Sequence, residues 1–265
     1  EDGSAPPMST TRRSFLKHTF GLGAGILAGR AAFAAVTPSG QPWFEISLAQ
    51  WSLHRAFRGG QADPVDFAGI ARRDYGITAV EYVNQFYQQT LTDALVAELK
   101  KRADDAGVRS LLIMCDGEGR LGDPDATARA LTVSNHVRWL DAAQALGCHS
   151  IRVNAASTGS SEEQMKLAAD GLRALAVLGD ARGLNVIVEN HGGLSSNGAW
   201  LAGVMRLADH PRVGTLPDFG NFRVSREETY DRYQGVTELM PFARGVSAKT
   251  YDFDAAGNET TIDFP

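Results

Sequence analysis

Seven short runs rich in β-branched and apolar residues recur along this chain at intervals of 28 to 40 residues, and helical patterns separate them. The runs lie at Glu45–Trp51, Thr78–Val83, Arg109–Cys115, His149–Asn154, Asn185–Glu189, Val213–Pro217 and Gly245–Lys249. Between them, apolar residues return every three to four positions, as in Leu91, Leu95 and Leu99, then Val133, Val137 and Leu140, then Leu172, Leu175 and Ala176. That spacing lays one face of a helix on a sheet. Gly107, Gly147 and Gly183 stand where the helices should end. Asp63-Pro64 and Asp123-Pro124 offer a capping carboxylate before a first-turn proline, and Ser161 with Gln164 offers a capping box.

Strands separated by a helix cannot pair as hairpins. They join by right-handed crossovers into a parallel sheet. The expectation is an α/β fold, a (β/α)8 TIM barrel over residues 41–265, truncated at its C-terminal side after strand 7. An eighth strand and the helix before it would lie past Pro265. A chain ending there leaves strands one and seven as open edges, so it is expected to be poorly stable and inactive. An open doubly wound sheet is the alternative, but no Gly-rich phosphate fingerprint follows the first run.

At 265 residues, 43% hydrophobic, the chain suits one large domain, because α/β barrels run to roughly 200–250 residues as a single unit. Its net charge of −5 and interspersed charges point away from nucleic acid. Only Cys115 and Cys148 are present, without the spacing of a thiolate metal site, and both read as core residues. Thr11-Arg-Arg-Ser-Phe-Leu-Lys17 precedes the apolar, glycine-rich stretch Phe20–Ala28, and Ala32-Phe-Ala34 is a cleavage-site pattern. Residues 1–35 thus resemble a twin-arginine signal peptide with upstream residues, which implies a periplasmic or secreted protein. The apolar run is shorter than the ~20 residues of a membrane span, so no stable membrane insertion is expected after cleavage.

Two acidic residues carry the candidate chemistry. Glu189 ends Asn185–Glu189, Asp218 follows Val213–Pro217, and 29 residues separate them, one strand–helix repeat. In a barrel the strand C-termini converge on one mouth, where catalytic groups collect. Either residue alone could cap a helix. Together, with His191 two residues after Glu189, they read as oxygen and nitrogen ligands for a divalent cation. Alternation along the strand puts Ile187 on the same side as Glu189, with Val186 and Val188 facing the helices. Other candidates at the mouth are His54, Glu81, Asn154 and Lys249, the last suited to holding an oxyanion. Arg152 shares a strand face with Asn154, and Trp51, Phe86 and Tyr87 could line an apolar wall there.

Val80-Glu-Tyr-Val-Asn-Gln-Phe-Tyr87, Val188-Glu-Asn-His-Gly-Gly193, Leu216-Pro-Asp-Phe-Gly-Asn221 and Val246-Ser-Ala-Lys-Thr-Tyr-Asp-Phe253 together resemble the xylose isomerase-like TIM barrels, from about Ile46 to Phe264. That family includes sugar phosphate isomerases and epimerases, inosose dehydratases and the AP endonuclease family 2 fold. The resemblance implies a cation (Mn²⁺, Mg²⁺, Zn²⁺ or Co²⁺) held by Glu189 and Asp218. The seventh-strand histidine of the family is Ser247 here, for which His191 could substitute, and its eighth-strand glutamate has no counterpart. It also implies Glu189 as one member of an acid/base pair whose other member is the eighth-strand glutamate. Position at the strand ends, not the resemblance, makes Lys249 a second catalytic candidate and His54, Glu81, Asn154 and His191 candidate substrate contacts. The implied activity is a metal-dependent sugar isomerase or epimerase that abstracts a proton next to a carbonyl and passes through an enediolate. The alternatives are a lyase or dehydratase on keto-sugars, of 3-keto-glycoside or inosose type, and a catalytically dead sugar-binding barrel. The expected partner is a small sugar or polyol, with homo-oligomerisation open.

Overall fold

The computed structural model describes residues 44–264. The signal-peptide expectation therefore lies outside the described residues. No helix among the described residues is long and apolar enough to cross a membrane. Six parallel strands form one sheet in chain order: β1 (Leu48–Ala49), β2 (Ala79–Val83), β3 (Arg109–Met114), β4 (Ser150–Val153), β5 (Asn185–Glu189) and β6 (Val213–Leu216). Each pairs only with its sequence neighbours, in register Arg152↔Ile187 between β4 and β5 and Glu189↔Leu216 between β5 and β6. This is the strand order of a (β/α) barrel, as expected.

The sheet separates two apolar layers, as side-chain alternation requires. Val83, Leu112, Met114, Ile187 and Leu216 form a small cluster on the inner face. Val80, Tyr82, Ile113, Ile151, Val186 and Val188 belong to the larger core beneath the helices. The split at Ile187 against Val186 and Val188 matches the parity read from the sequence. It places Glu189 on the inner face.

The helices are α1 (His54–Arg58), α2 (Phe67–Tyr75), α3 (Asp93–Asp105), α4 (Ala126–Asn135), α5 (Val137–Leu146), α6 (Ser161–Asp180), α7 (Gly198–Ala208) and α8 (Arg232–Leu239). Several local expectations need correction. The single helix expected through Val133, Val137 and Leu140 is two, because the chain breaks at His136, a residue only 3% exposed whose Nδ1 lies 2.8 Å from Thr132 O. The capping box of α6 is Ser160 with Glu163, one residue ahead of the pair read from the sequence. Asp125 rather than Asp123 caps α4. The run Glu45–Trp51 contributes only Leu48–Ala49 as strand, since Gln50 onward turns into a helical turn. Gln50, fully buried, repays this by accepting from Val83 N at 2.9 Å and donating to Tyr87 Oη at 2.6 Å. The seventh run, Gly245–Lys249, lies parallel beside the end of β6 through the single pair Asp218↔Ser247 and forms no ladder. Gly147 ends α5 with φ of 78°, a conformation costly for any residue with a Cβ.

α6 crosses the loop after β3 at Gly171. A Cβ there would come 1.8 Å from Leu121 O and 2.8 Å from its carbonyl carbon. Neither atom can move without displacing backbone, so Gly171→Ala is expected to cost about 1–3 kcal/mol or more. Thermal unfolding should show this, and an unchanged midpoint would contradict the packing. Burial holds His136 below its ordinary value of 6.5, outweighing the pull of Thr132 O. The folded state therefore prefers the neutral ring. The resulting stability is full above about 6.5 and is lost as pH falls through the folded pKa. His136→Gln should flatten the dependence of denaturant midpoint on pH between 7 and 5, and identical slopes would remove His136 as its source.

Candidate active site

Parallel strands deliver their C-terminal residues to one end, and the buried charges collect there. Glu189 closes β5 at 5% exposure, and Asp218 follows β6 fully buried. Arg152, 4% exposed on β4, lies with Nε 2.7 Å from Glu189 Oε2 and donates from Nη1 to Asp116 Oδ1 at 2.7 Å. The Arg152–Glu189 approach is short but poorly aligned: both atoms are buried without a properly directed hydrogen bond. Asn154 Nδ2 also donates to Asp116 Oδ1 at 2.7 Å, while its Oδ1 is buried without a donor.

Asp218 is held on all sides. Its Oδ1 accepts from Gly220 N at 2.8 Å and Asn221 N at 3.0 Å. Its Oδ2 accepts from Ser247 Oγ at 3.0 Å and lies 3.3 Å from Lys249 Nζ. Its backbone is latched by the fully buried Asn190, whose Oδ1 accepts from Asp218 N at 2.6 Å and whose Nδ2 donates to Asp218 O and Asn221 O. Asn221 joins the groups around it. Its Nδ2 donates to Glu189 Oε1 at 3.2 Å and its Oδ1 accepts from Lys249 Nζ at 2.7 Å.

The electrostatics follow from this crowding. Glu189 is pushed up to about 7, chiefly by burial. Arg152 opposes the shift, and the charge and hydrogen bond of Asp218 add to it. Burial also acts to raise Asp116, but Arg152 and Asn154 outweigh it and hold that carboxyl below its usual range. His191 is lowered by burial and then by Arg152 and Lys249, against the pull of Asp116 and Asp218.

Two of the residues read from sequence, Glu189 and Asp218, meet here with Lys249. Asn154 reaches the cluster through Asp116, and His191 lines the two cavities at the mouth. Among the described residues no group of three or more His, Cys, Asp or Glu side chains is gathered closely enough to hold an ion. His191 therefore does not complete a three-ligand set with Glu189 and Asp218. Glu81 sits deeper, takes a 2.6 Å hydrogen bond from Ser47 Oγ, and is raised by burial. His54 begins α1, stacks on Trp51 at 4.6 Å, and places Nδ1 2.6 Å from Trp51 O, so that nitrogen carries its proton. Neither Glu81 nor His54 touches Glu189.

Residues 71–245 match the Xylose isomerase-like TIM barrel family. The chain belongs to that family. No curated protein matched the chain. Among solved structures, the family fold recurs in D-psicose 3-epimerase with D-tagatose from Clostridium cellulolyticum H10, at 13% identity and TM-score 0.60, covering 77% of this chain and 72% of that one. It recurs in the "probable 3-DHS dehydratase AsbF" of petrobactin synthesis from Bacillus anthracis, at 17% identity and TM-score 0.57 over 77% and 72%. A Xylose isomerase-like TIM barrel protein from Mycobacterium smegmatis in complex with magnesium matches at 18% and 0.57 over 74% and 70%. At such identities the likeness establishes the fold alone.

Asp116, Asn190 and Asn221 escaped the sequence reading. Asn190 and Asn221 stood inside the quoted motifs, adjacent to Glu189 and three residues after Asp218, and that adjacency was the available signal. Asp116 follows β3 at the same end of the sheet as Glu189, which strand-end position alone could have flagged.

Arg152 is the central cation of this end of the sheet. Arg152→Met keeps much of the volume but leaves Glu189 and Asp116 without their partner. Breaking a buried pair in this way costs about 3–5 kcal/mol. Urea unfolding of the variant measures it, and a loss below about 1 kcal/mol would mean that Arg152 is not what balances the two carboxylates.

Proposed function

We propose that this protein is a sugar isomerase or epimerase that moves a proton on the carbon next to a carbonyl in a ketose, polyol-derived ketone or sugar acid. The observation that carries this reading is the state of Glu189: a buried carboxyl at a barrel strand's end, raised to about 7, with Oε2 lacking an aligned donor. A carboxyl that titrates near neutrality serves as base in one half-reaction and acid in the other. Glu189 takes the proton from carbon, the C–H electrons become the C=C bond of the enediolate, and the former carbonyl oxygen carries the negative charge. Lys249, steered by Asn221 Oδ1, is the cation available to that oxygen. Return of the proton to the neighbouring carbon, as the hydroxyl proton passes to the former carbonyl oxygen, isomerises the sugar; delivery of a proton to the opposite face of the same carbon by a second acid, the partner of Glu189, epimerises it.

The family relative with magnesium bears on the cofactor. Glu189 Oε2 and Asn154 Oδ1 are buried oxygens without an aligned donor, although Arg152 Nε lies 2.7 Å from the former, and Asp218 is near enough to act on Glu189. Hard oxygen atoms in this small number suit Mg²⁺ or Mn²⁺, which keep several sites for water and substrate, better than a closed Zn²⁺ site. Glu189 and Asp218 would hold such an ion, and bound there it supplies Lewis-acid polarisation of the carbonyl. An epimerase and a probable dehydratase both stand among the fold relatives, and an enediolate can expel a β-substituent, so a lyase is the second reading. Export by the twin-arginine route to the periplasm is proposed from residues 11–34 alone.

Incubation of the full-length protein with a panel of ketoses, sugar acids and 3-keto-glycosides in D₂O, with Mg²⁺ or Mn²⁺, tests the proposal. Deuterium should enter the carbon next to the carbonyl, with a stereoisomer of the sugar as product; an unsaturated ketone instead would select the lyase. Glu189→Gln should slow exchange by about 10²-fold or more. No exchange on any member would overturn the function, and a variant retaining half the rate would remove Glu189 from the proton path.

A further inference from the structure

Two aspartates stand at this end of the sheet, and the same device fixes both. Between β5 and β6 the last registered pair is Glu189↔Leu216; Asn190 follows β5 by one residue and Asp218 follows β6 by two. Between β2 and β3 the last registered pair is Val83↔Met114; Asn84 follows β2 by one residue and Asp116 follows β3 by two. Asn190 Oδ1 accepts from Asp218 N at 2.6 Å, and its Nδ2 donates to Asp218 O at 2.9 Å. Asn84 Oδ1 accepts from Asp116 N at 3.0 Å, and its Nδ2 donates to Asp116 O at 2.9 Å. Both asparagines are fully buried.

Each clamp is anchored beyond its aspartate. Asn190 Nδ2 also reaches Asn221 O, and Asn84 Nδ2 also reaches Glu118 Oε1 at 3.1 Å. Glu118 is buried and takes donors from α5, Trp139 Nε1 at 2.8 Å and Arg138 Nη2 at 2.9 Å. Asp116 lies past the β3 ladder, and side-chain amides occupy both of its backbone groups. Asn84 takes the N–H, and Asn84 with Gln88 Nε2 takes the carbonyl. A hold on both groups sets the position and the tilt of the residue, where one bond would leave it free to swing. From Asp116 the order passes inward. Its Oδ1 accepts from Arg152 Nη1 at 2.7 Å, and Arg152 Nε lies 2.7 Å from Glu189 Oε2.

We propose that Asn84 is a positioning residue for proton transfer at Glu189, acting through Asp116 and Arg152. This rests on the carbonyl-adjacent proton transfer proposed above and adds a residue to it. Asn84 needs no contact with substrate. It holds the aspartate that aims the guanidinium, and a reacting group must be held to about 0.5 Å by such supports.

Two measurements on the full-length protein test this, one of them independent of turnover. The first is the Nε–H resonance of Arg152 in ¹⁵N-labelled protein, identified by its absence in Arg152→Met. The second is deuterium exchange into the ketose panel. Asn84→Ala should move or broaden the Arg152 resonance and lower kcat for exchange about tenfold, with KM nearly unchanged. Asn84→Ala combined with Asp116→Ala should be no slower than Asp116→Ala alone, because both act along one path. Leu175→Ala, which removes fully buried core volume on α6, should destabilise the fold and leave the resonance and kcat as they are. Thermal melting sets the assay temperature for each variant. If Asn84→Ala melts too low, Asn84→Ser, too short to span both backbone groups of Asp116, takes its place. An unmoved resonance, a kcat within about twofold of the parent, or additive losses in the double variant would each overturn the inference. A moved resonance in a protein whose parent exchanges no deuterium overturns the proposed reaction and keeps the hold of Asn84 on Arg152. Exchange by the parent with an unmoved resonance in the variant keeps the reaction and overturns the role of Asn84.

Discussion

The structure turns on two carboxylates brought into contact by adjacent parallel strands. β5 and β6 pair Glu189 with Leu216, so Asp218, two residues on, stands over Glu189 at the rim. Burying one unpaired carboxylate is expensive, and burying two side by side is worse. The neighbourhood is organised to meet that cost. Arg152 rises from β4 toward Glu189, and Lys249 reaches Asp218 from the seventh run. Asp116 in turn keeps Arg152 in place from the end of β3. Four successive strands and one loop thus contribute three carboxyls and two cations to one site, and the parallel order of the sheet is what makes them neighbours.

Charge alone does not set geometry, and two amides do that. Asn190 uses both ends of its carboxamide on the backbone around Asp218, fixing the β5 and β6 ends to each other. Asn221 uses its carboxamide between Glu189 and Lys249, which orients the proposed base and the proposed oxyanion partner relative to one another. An amide is suited to the task because it donates and accepts without adding charge to an already crowded site.

Much of this was legible from periodicity. The strand at Asn185–Glu189 was read to the residue, and the parity that puts Ile187 inward and Val186 outward follows from alternation alone. The failures have specific causes. The break at His136 leaves the helical spacing of Val133 and Leu140 nearly intact on either side, so no pattern reports it. The early end of β1 arises because Gln50 is consumed by long-range bonds to Val83 and Tyr87, partners 33 and 37 residues away. The seventh run has the composition of a strand but only one bridge to β6, and composition cannot count ladder partners. The site was legible where a charge ended a strand, at Glu189 and Asp218, and illegible where a neutral amide or a carboxylate from another repeat completed it.

The two carboxyls are chemically alike in sequence and unlike in place. Asp218 takes donors on both oxygens, from Gly220, Asn221 and Ser247, with Lys249 beside it. A carboxyl group so fully occupied is held in one orientation. Glu189 has one weak donor on Oε1 and none aligned on Oε2. The proximity of Asp218 is one of the causes that raise Glu189 to about 7, after burial. Ser247 contributes to this asymmetry, because its hydroxyl donates to Asp218 where the family pattern places an imidazole. The pair is divided by environment into one carboxyl with donors on both oxygens and one whose Oε2 lacks an aligned donor, and the second is the better placed to exchange a proton with a bound molecule.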